Sequence, residues 1–263
     1  MKARPLYLAL LVAVLGGCQS NSTLQPKPPE QPVLAFSNQD WAKVLDKVAT
    51  PDGYVKWDLL QSDQETRDAL ARYLGLLSVC SPRNQSSLFV SPNDIKAYWI
   101  NAYNALSLYW VICHQYPATI PAHREGKFEI GGEKMSLADV DAQLRNDFAD
   151  RMVIFALNGC ALSDPPLRQT PYDGAVLDAQ LLDQAHLYLN DPRGVRRDGN
   201  TLDLALPLLA FVSQTSVSQA IGATPRDLEH LRPLATADSP LQSASDVTSV
   251  QFVFDYSLNR PPR

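Results

Sequence analysis

The sequence has little of what marks a membrane-spanning or a nucleic-acid-binding protein. After a short apolar run at residues 6–15, no apolar run reaches the roughly twenty residues that a spanning helix requires. Basic residues are not in excess, since 23 Lys and Arg stand against 28 Asp and Glu. Nothing in the chain is basic enough to predict binding to nucleic acid.

Common catalytic motifs are also missing. The chain contains no H-E-x-x-H metalloprotease motif, no C-x-x-C pair, no phosphate loop and no G-x-S-x-G elbow. The usual metalloprotease, redox, nucleotide-binding and α/β-hydrolase interpretations therefore have no support. We expect neither a cofactor nor a bound metal ion.

The amino terminus has the organisation of a signal peptide. Lys2 and Arg4 precede the apolar residues 6–15, a run too short to span a bilayer. Residues 15–18, Leu-Gly-Gly-Cys, resemble the lipobox of bacterial lipoproteins. An ordinary secretory signal is the alternative. The lipobox predicts removal of residues 1–17 and lipid on Cys18, and Gln19 in place of aspartate favours a periplasm-facing anchor in the outer membrane.

Composition divides the mature chain into a tether and one domain. Residues 18–33 are polar and proline-rich, which predicts a flexible tether that follows the lipidated cysteine. Residues 34–263 suit a single domain, because 45% of the chain is apolar and only 19% is charged. Loss of the signal peptide removes two basic residues and leaves 21 against 28 acidic ones, a net charge of −7.

Hydrophobic periodicity predicts an α+β fold with a central buried helix, several short hairpins or strands, and peripheral helices. The central helix is residues 92–115, which are apolar on nearly every face and follow Ser91 as a cap. Peripheral helices are predicted at 38–48, 66–78, 136–148, 174–189 and 208–220 and from Pro225. Strands are predicted at 151–157 and 250–256, a short extended segment at 54–60, and hairpins around Gly131-Gly132 and Asp198-Gly199.

Several segments together resemble the bacterial domain-of-unknown-function 547 family. They are residues 99–105 (WINAYNA), Ile130-Gly131-Gly132, Ser136-Leu137, Leu144-Arg145, 155–158 (FALN), 165–168 (PPLR) with Tyr172, and 255–259 (DYSLN). The likeness extends from about Trp41 to Asn259. It implies no activity, because the family is named for having none assigned.

The chain departs from the family pattern where cysteine and histidine are expected. Gly159 and Asp164 stand where the pattern has two cysteines, and Cys160 is shifted by one position. Residues 140–142, Val-Asp-Ala, stand where it tends to have a histidine. If the family's site uses thiol and imidazole together, this chain lacks those parts.

Polar residues within the apolar segments are the candidates for ligand binding. Asn101 and Asn104 share one face of the central helix, and a buried amide must find partners in a ligand or in the backbone of a neighbouring loop. Arg168 offers a fork for a carboxylate or phosphate, unless internal Asp164–Arg168 or Asp139–Arg145 ion pairs form instead. The predicted ligand-binding set is Asn101, Tyr103, Asn104, Arg145, Asn158, Ser163, Asp164, Arg168 and Tyr172.

Three cysteines remain beyond Cys18. Cys80 and Cys113 flank the central helix, so a disulfide between them is possible, which leaves Cys160 as a free thiol. Cys160 is a candidate nucleophile and His123 the most suitable candidate base, although the commoner role of a buried cysteine is packing.

Two functions therefore remain open. The first is a membrane-tethered periplasmic lipoprotein whose domain binds a small polar ligand or an envelope protein. The alternative is a thiol-dependent hydrolase or acyl transferase that acts on cell-envelope material, with Cys160 attacking and Asn101 or Asn104 polarising a carbonyl.

Overall fold

In the computed structural model, which describes residues 24–209, 225–242 and 247–262, the centre of the fold is helix α4 (Pro92–Cys113). Its first turn is capped from both directions. Ser91 Oγ accepts from the N–H of Asp94, and the Asp94 carboxylate accepts from the N–H of Ser91. Every residue from Lys96 to the end of the helix is buried. The predicted central buried helix is thus confirmed.

Five further α-helices lie around α4 in the described part of the chain. Several begin at side-chain caps, such as Asp63 before α3 and Ser136 before α5. They are α1 (Gln39–Val48), α2 (Trp57–Ser62), α3 (Gln64–Val79), α5 (Leu137–Phe148) and α6 (Leu177–Asn190). Short 3₁₀ turns precede α6 at Gly174–Val176 and α4 at Ser86–Leu88, and others occupy Leu206–Leu208, Pro225–His230 and Arg232–Leu234.

Two small sheets complete the predicted α+β fold, which is confirmed. Strands β1 (Phe128–Ile130) and β2 (Glu133–Met135) form a hairpin whose turn, Gly131-Gly132, has positive φ at both residues. The second sheet has the order β3-β4-β5, with β3 (Val195–Asp198) antiparallel and β5 (Ser249–Val253) parallel to β4 (Thr201–Ala205). It packs with α6 into a second apolar cluster beside the main core.

One predicted strand is wrong. Residues 151–157 form a 3₁₀ helix, Arg151–Ala156, which starts where Asp150 accepts from the N–H of Met152. A short apolar run does not distinguish a strand from a buried helical turn. The extended segment expected at residues 54–60 is shorter than predicted: Val55 forms an isolated bridge with Ala49, and α2 begins at Trp57.

The folded part begins earlier than the proline-rich composition suggested. Leu24 is 3% exposed within the main core. The N–H of Lys27 donates to the carbonyl of Ala71 on α3 (2.8 Å), and its ammonium pairs with Asp68 (2.5 Å). Residues 24–28 are therefore packed on α3, although the composition assigned them to the tether.

The disulfide considered between Cys80 and Cys113 does not form, since Cys80 is a buried free thiol that packs in the apolar core. Cys160, the predicted free thiol, is free and buried. Within the described residues, no helix is long and apolar enough to cross a bilayer. The predicted signal peptide, Cys18 and the predicted helix beyond Leu209 lie outside the described residues.

Candidate functional site

Two side-chain amides on α4 hold the loops that build the candidate site. Asn101 donates to the carbonyl of Tyr172 (2.8 Å) and accepts from its N–H (2.9 Å). Asn104 donates to the carbonyl of Ala156 (3.0 Å) and accepts from the N–H of Asn158 (2.8 Å). Both amides therefore position backbone, which is one of the two roles expected for them.

Asn158 continues these contacts into the loop that carries Cys160. Its amide donates to the carbonyl of Pro165 (2.6 Å), and its side-chain oxygen accepts from the N–H of Cys160 (3.0 Å). Cys160 has φ +73°, which is uncommon for a residue other than glycine. Side chains from α4 and from the loop itself thus hold a strained backbone in place.

Arg124 is a central residue of the site that the sequence did not reveal. Nη1 donates to the carbonyl of Gly159 (2.8 Å) and to Ser107 Oγ (3.4 Å), and Nη2 donates to the hydroxyl of Tyr103 (2.7 Å). A guanidinium has five N–H groups. Two of them, on Nε and Nη2, have no acceptor among the residues that the structure describes.

Asp164 faces the same loop as Arg124. Its Oδ2 accepts from the N–H of Ala161 (2.8 Å), and the N–H of Gly159 also stabilises the carboxylate. A Cβ at residue 159 would lie 2.7 Å from Asp164 Oδ2 and 3.0 Å from Arg124 Nη2, so any side chain there would displace one of these charged groups. Burial raises the pKa of Asp164 to about 6, against the opposing charge of Arg124.

Tyr103 and Arg145 are connected through a residue of α5. The pKa of Tyr103 is raised to about 12, chiefly by burial and also by the charges of Asp164 and Asp141, while the charge of Arg124 opposes the shift. Asp141 accepts from Nε of Arg145 at both oxygens (3.0 and 2.9 Å). Within the described part of the chain, Arg145 therefore pairs with Asp141 and forms no hydrogen bond with the Cys160 loop.

The carboxyl-terminal segment hydrogen-bonds to two loops of the site, one that contains Ile120 and one that contains Ser163. The N–H of Ile120 donates to the carbonyl of Tyr256 (2.7 Å) on one side. On the other side, the N–H of Asp255 donates to Ser163 Oγ (2.8 Å), and the N–H of Ser163 donates to the carbonyl of Asp255 (3.2 Å). Ser163, a predicted ligand-binding residue, is thus engaged in joining these segments.

The segments enclose a cavity of about 200 Å³. Its charged groups are Arg124 and Asp164, and the remaining wall is apolar or aromatic. We call it the Arg124 cavity. It is lined by Ile120, Pro121, Ala122, Arg124, Gly159, Ala161, Asp164, Leu206, Phe254 and Tyr256.

Neither of the two ion pairs considered from the sequence, Asp164–Arg168 and Asp139–Arg145, forms in the structure. Arg168 pairs with Asp183 (2.8 Å) rather than with Asp164, and Asp139 accepts from Ser136 at the start of α5 rather than from Arg145. Tyr172 is buried, and its hydroxyl has no partner in the described residues. Neither Arg168 nor Tyr172 lines the Arg124 cavity.

The thiol of Cys160 is not arranged as a nucleophile. It is fully buried, and burial raises its pKa well above that of a free thiol although the charge of Arg124 opposes the shift. Among the described residues no histidine hydrogen-bonds to it. His123 is exposed, and His114 stacks on Trp110 (3.7 Å between ring centroids).

The site thus belongs to an α+β domain in which a central buried helix and one strained loop frame a small charged cavity. The model of a family described as "Protein of unknown function, DUF547" matches residues 89–189. This range contains α4, Arg124 and the Cys160 loop. No curated protein and no solved structure matches the chain. The resemblance expected outside residues 89–189 stays a prediction.

Proposed function

We propose that the domain binds a small polar ligand that carries a carboxylate, and that Arg124 and Asp164 hold it. The observation that carries the proposal is that a guanidinium with unused donors and a carboxyl with a raised pKa lie in the wall of one cavity. A perturbed carboxyl beside a specific charge partner in a cavity is typical of functional sites.

The chemistry of the wall favours an acidic ligand. The guanidinium of Arg124 donates to the carbonyl of Gly159 and to the hydroxyl of Tyr103, so its orientation is fixed before a ligand binds. A fixed guanidinium with two free N–H groups suits a carboxylate, which accepts two parallel hydrogen bonds. Asp164, once protonated, donates a hydrogen bond to the same ligand.

The proposal is tested with pairs of sugars that differ only in the acid group. Titration calorimetry compares glucuronate with glucose, and galacturonate with galactose, on a chain that starts at residue 19, because the described fold begins at Leu24. We expect at least one acid to bind at least tenfold more tightly than its neutral partner. Arg124→Met should abolish this difference, and Arg124→Lys, which keeps the charge but loses the fork, should reduce it.

The control is Arg72→Met, which removes an exposed arginine of α3 that pairs with Asp40 (2.9 Å) and does not line the Arg124 cavity. Its affinity for the acid sugars should equal that of the natural chain. Equal binding of acid and neutral sugars, or full binding by the folded Arg124→Met variant, would overturn the proposal.

We further propose that the domain is a lipoprotein tethered through Cys18 to the outer membrane and facing the periplasm. Support comes from the Leu-Gly-Gly-Cys sequence after a short apolar run and from Gln19. Lipid on Cys18 would be the membrane partner of this domain.

The location is tested by metabolic labelling with palmitate and by mass spectrometry of the mature amino terminus. We expect labelled protein that begins at Cys18, and Cys18→Ser should abolish both label and processing. Because Cys80 and Cys160 are free, a disulfide from Cys18 to Cys113 is the competing state. One sulfur cannot carry a thioether and a disulfide, so a Cys18–Cys113 cross-linked peptide would contradict lipidation.

A further inference from the structure

A second and larger cavity borders the Arg124 cavity. Its volume is about 530 Å³, and both cavities are lined by Phe254 and Tyr256. Ligand sites usually measure about 300–1,000 Å³. The Arg124 cavity alone, at about 200 Å³, falls below that range, whereas the larger cavity lies within it. A ligand held at Arg124 therefore has room to continue past the two rings.

The ridge between the cavities is aromatic. The rings of Phe254 and Tyr256 lie 4.5 Å apart between centroids at an interplanar angle of 60°. Tyr256 is 38% exposed. The two rings offer a large apolar surface, and Tyr256 adds a hydroxyl at its edge. A sugar ring is the matching shape, because it presents C–H groups on its face and hydroxyls at its rim.

The backbone of the ridge is already in use. Asp255 exchanges hydrogen bonds with Ser163, the carbonyl of Tyr256 accepts from Ile120, and the carbonyl of Ser257 accepts from Leu162. A peptide that binds by adding a strand needs free backbone donors and acceptors. The ridge offers side chains instead, which favours a glycan over an extended peptide.

The larger cavity is also lined by charged side chains, of which Arg193, Arg196 and Asp203 are each paired with a side chain of opposite charge. Asp203, 2% exposed, accepts from Arg196 (2.6 Å) and from Gln251 (2.6 Å). Arg193 is held by Asp191 and stacks over Tyr54 at 4.1 Å. Paired charges of this kind suit neutral hydroxyl groups, since the guanidinium supplies donors, the carboxylate supplies acceptors, and a hydroxyl can both accept and donate.

We infer that the two cavities form one groove for an oligosaccharide whose acidic sugar lies at Arg124 and whose next sugars pass over Phe254 and Tyr256 into the larger cavity. This rests on the proposed function, because Arg124 holds the acidic end.

The test compares chain lengths. Calorimetry measures galacturonic acid and glucuronic acid against tetramers in which one such acid is joined to three neutral sugars, on the natural chain and on Val253→Trp. Val253 is 39% exposed and lines only the larger cavity, so tryptophan should fill that cavity alone. We expect a tetramer to bind at least tenfold more tightly than the acid monomer. Val253→Trp should lower the affinity for the tetramer to that for the monomer and leave the affinity for the monomer unchanged.

The matched control is Val176→Trp, since Val176 is 52% exposed and lines neither cavity. Tetramers that bind no better than monomers, or a tetramer preference that survives in Val253→Trp, would overturn the groove while leaving the proposed function intact. Tighter binding of tetraglutamate than of either tetramer would overturn the glycan. Failure of every acid sugar to bind would instead overturn the proposed function.

Discussion

Asp164 is the residue of the site whose charge responds to pH. Its pKa rises from the usual 3.8 to about 6 in the folded protein, so the folded state holds this proton to a higher pH than the unfolded chain does. The associated stability is present below pH 4 and is lost as the pH rises through about 6. Two pKa units correspond to about 3 kcal/mol.

This predicts the behaviour of Asp164→Asn. The amide keeps an oxygen for the N–H of Ala161 and carries no charge to bury. We expect the variant to gain up to about 3 kcal/mol relative to the natural chain between pH 4 and pH 7. Urea unfolding at a series of pH values measures the difference. A difference that stays constant over this range would show that the carboxyl is not buried as described.

The two asparagines of α4 make the same kind of contact at different places. Asn104→Ala leaves the carbonyl of Ala156 and the N–H of Asn158 without partners, and each lost buried partner costs about 1–3 kcal/mol. Asn101→Ala does the same to Tyr172. We expect both variants to lose similar stability, but only Asn104→Ala to weaken acid-sugar binding, by at least tenfold. Calorimetry on both folded variants checks this, and equal weakening would contradict the specific role of Asn104.

At the scale of elements, short sequence motifs correctly predicted those helix starts and turns that contacts between nearby residues stabilise. The capping boxes before α4 and α5 and the Gly131-Gly132 hairpin were predictable because each depends on residues a few positions apart. The strand expected at residues 151–157 was wrong because an apolar run reports burial and not conformation.

The segment before α1 shows that composition alone does not distinguish a flexible tether from a packed segment. Residues 24–28 look like a tether, yet Leu24 is buried against the core and Lys27 hydrogen-bonds to α3. We predict that Leu24→Ala costs about 2–3 kcal/mol of unfolding free energy. Leu34→Ala should change it by less than about 0.5 kcal/mol, because Leu34 is 86% exposed. Equal effects of the two substitutions would mean that residues 24–28 do not belong to the fold.

At the scale of the molecule, the site is assembled from segments far apart in the chain. Asn101, Tyr103, Asn104, Asn158 and Asp164 were identified from the sequence because polar residues stand out in apolar or loop segments. Arg124 was not, since it lies in an irregular segment without motif or periodicity, and only the fold brings it to Gly159. Phe254 and Tyr256 were predicted as strand residues and not as cavity walls.

The central claim is that the residues around Cys160 form a binding site and not a thiol active site. The rate of Cys160 alkylation against pH, with peptide mapping to separate it from Cys80, tests this most directly. We predict that Cys160 stays unreactive near neutral pH in the folded protein and reacts readily in denaturant, since the thiol is buried with a raised pKa. Fast alkylation of the folded protein near neutral pH, with an apparent pKa below that of a free thiol, would contradict the claim and favour the thiol-dependent enzyme.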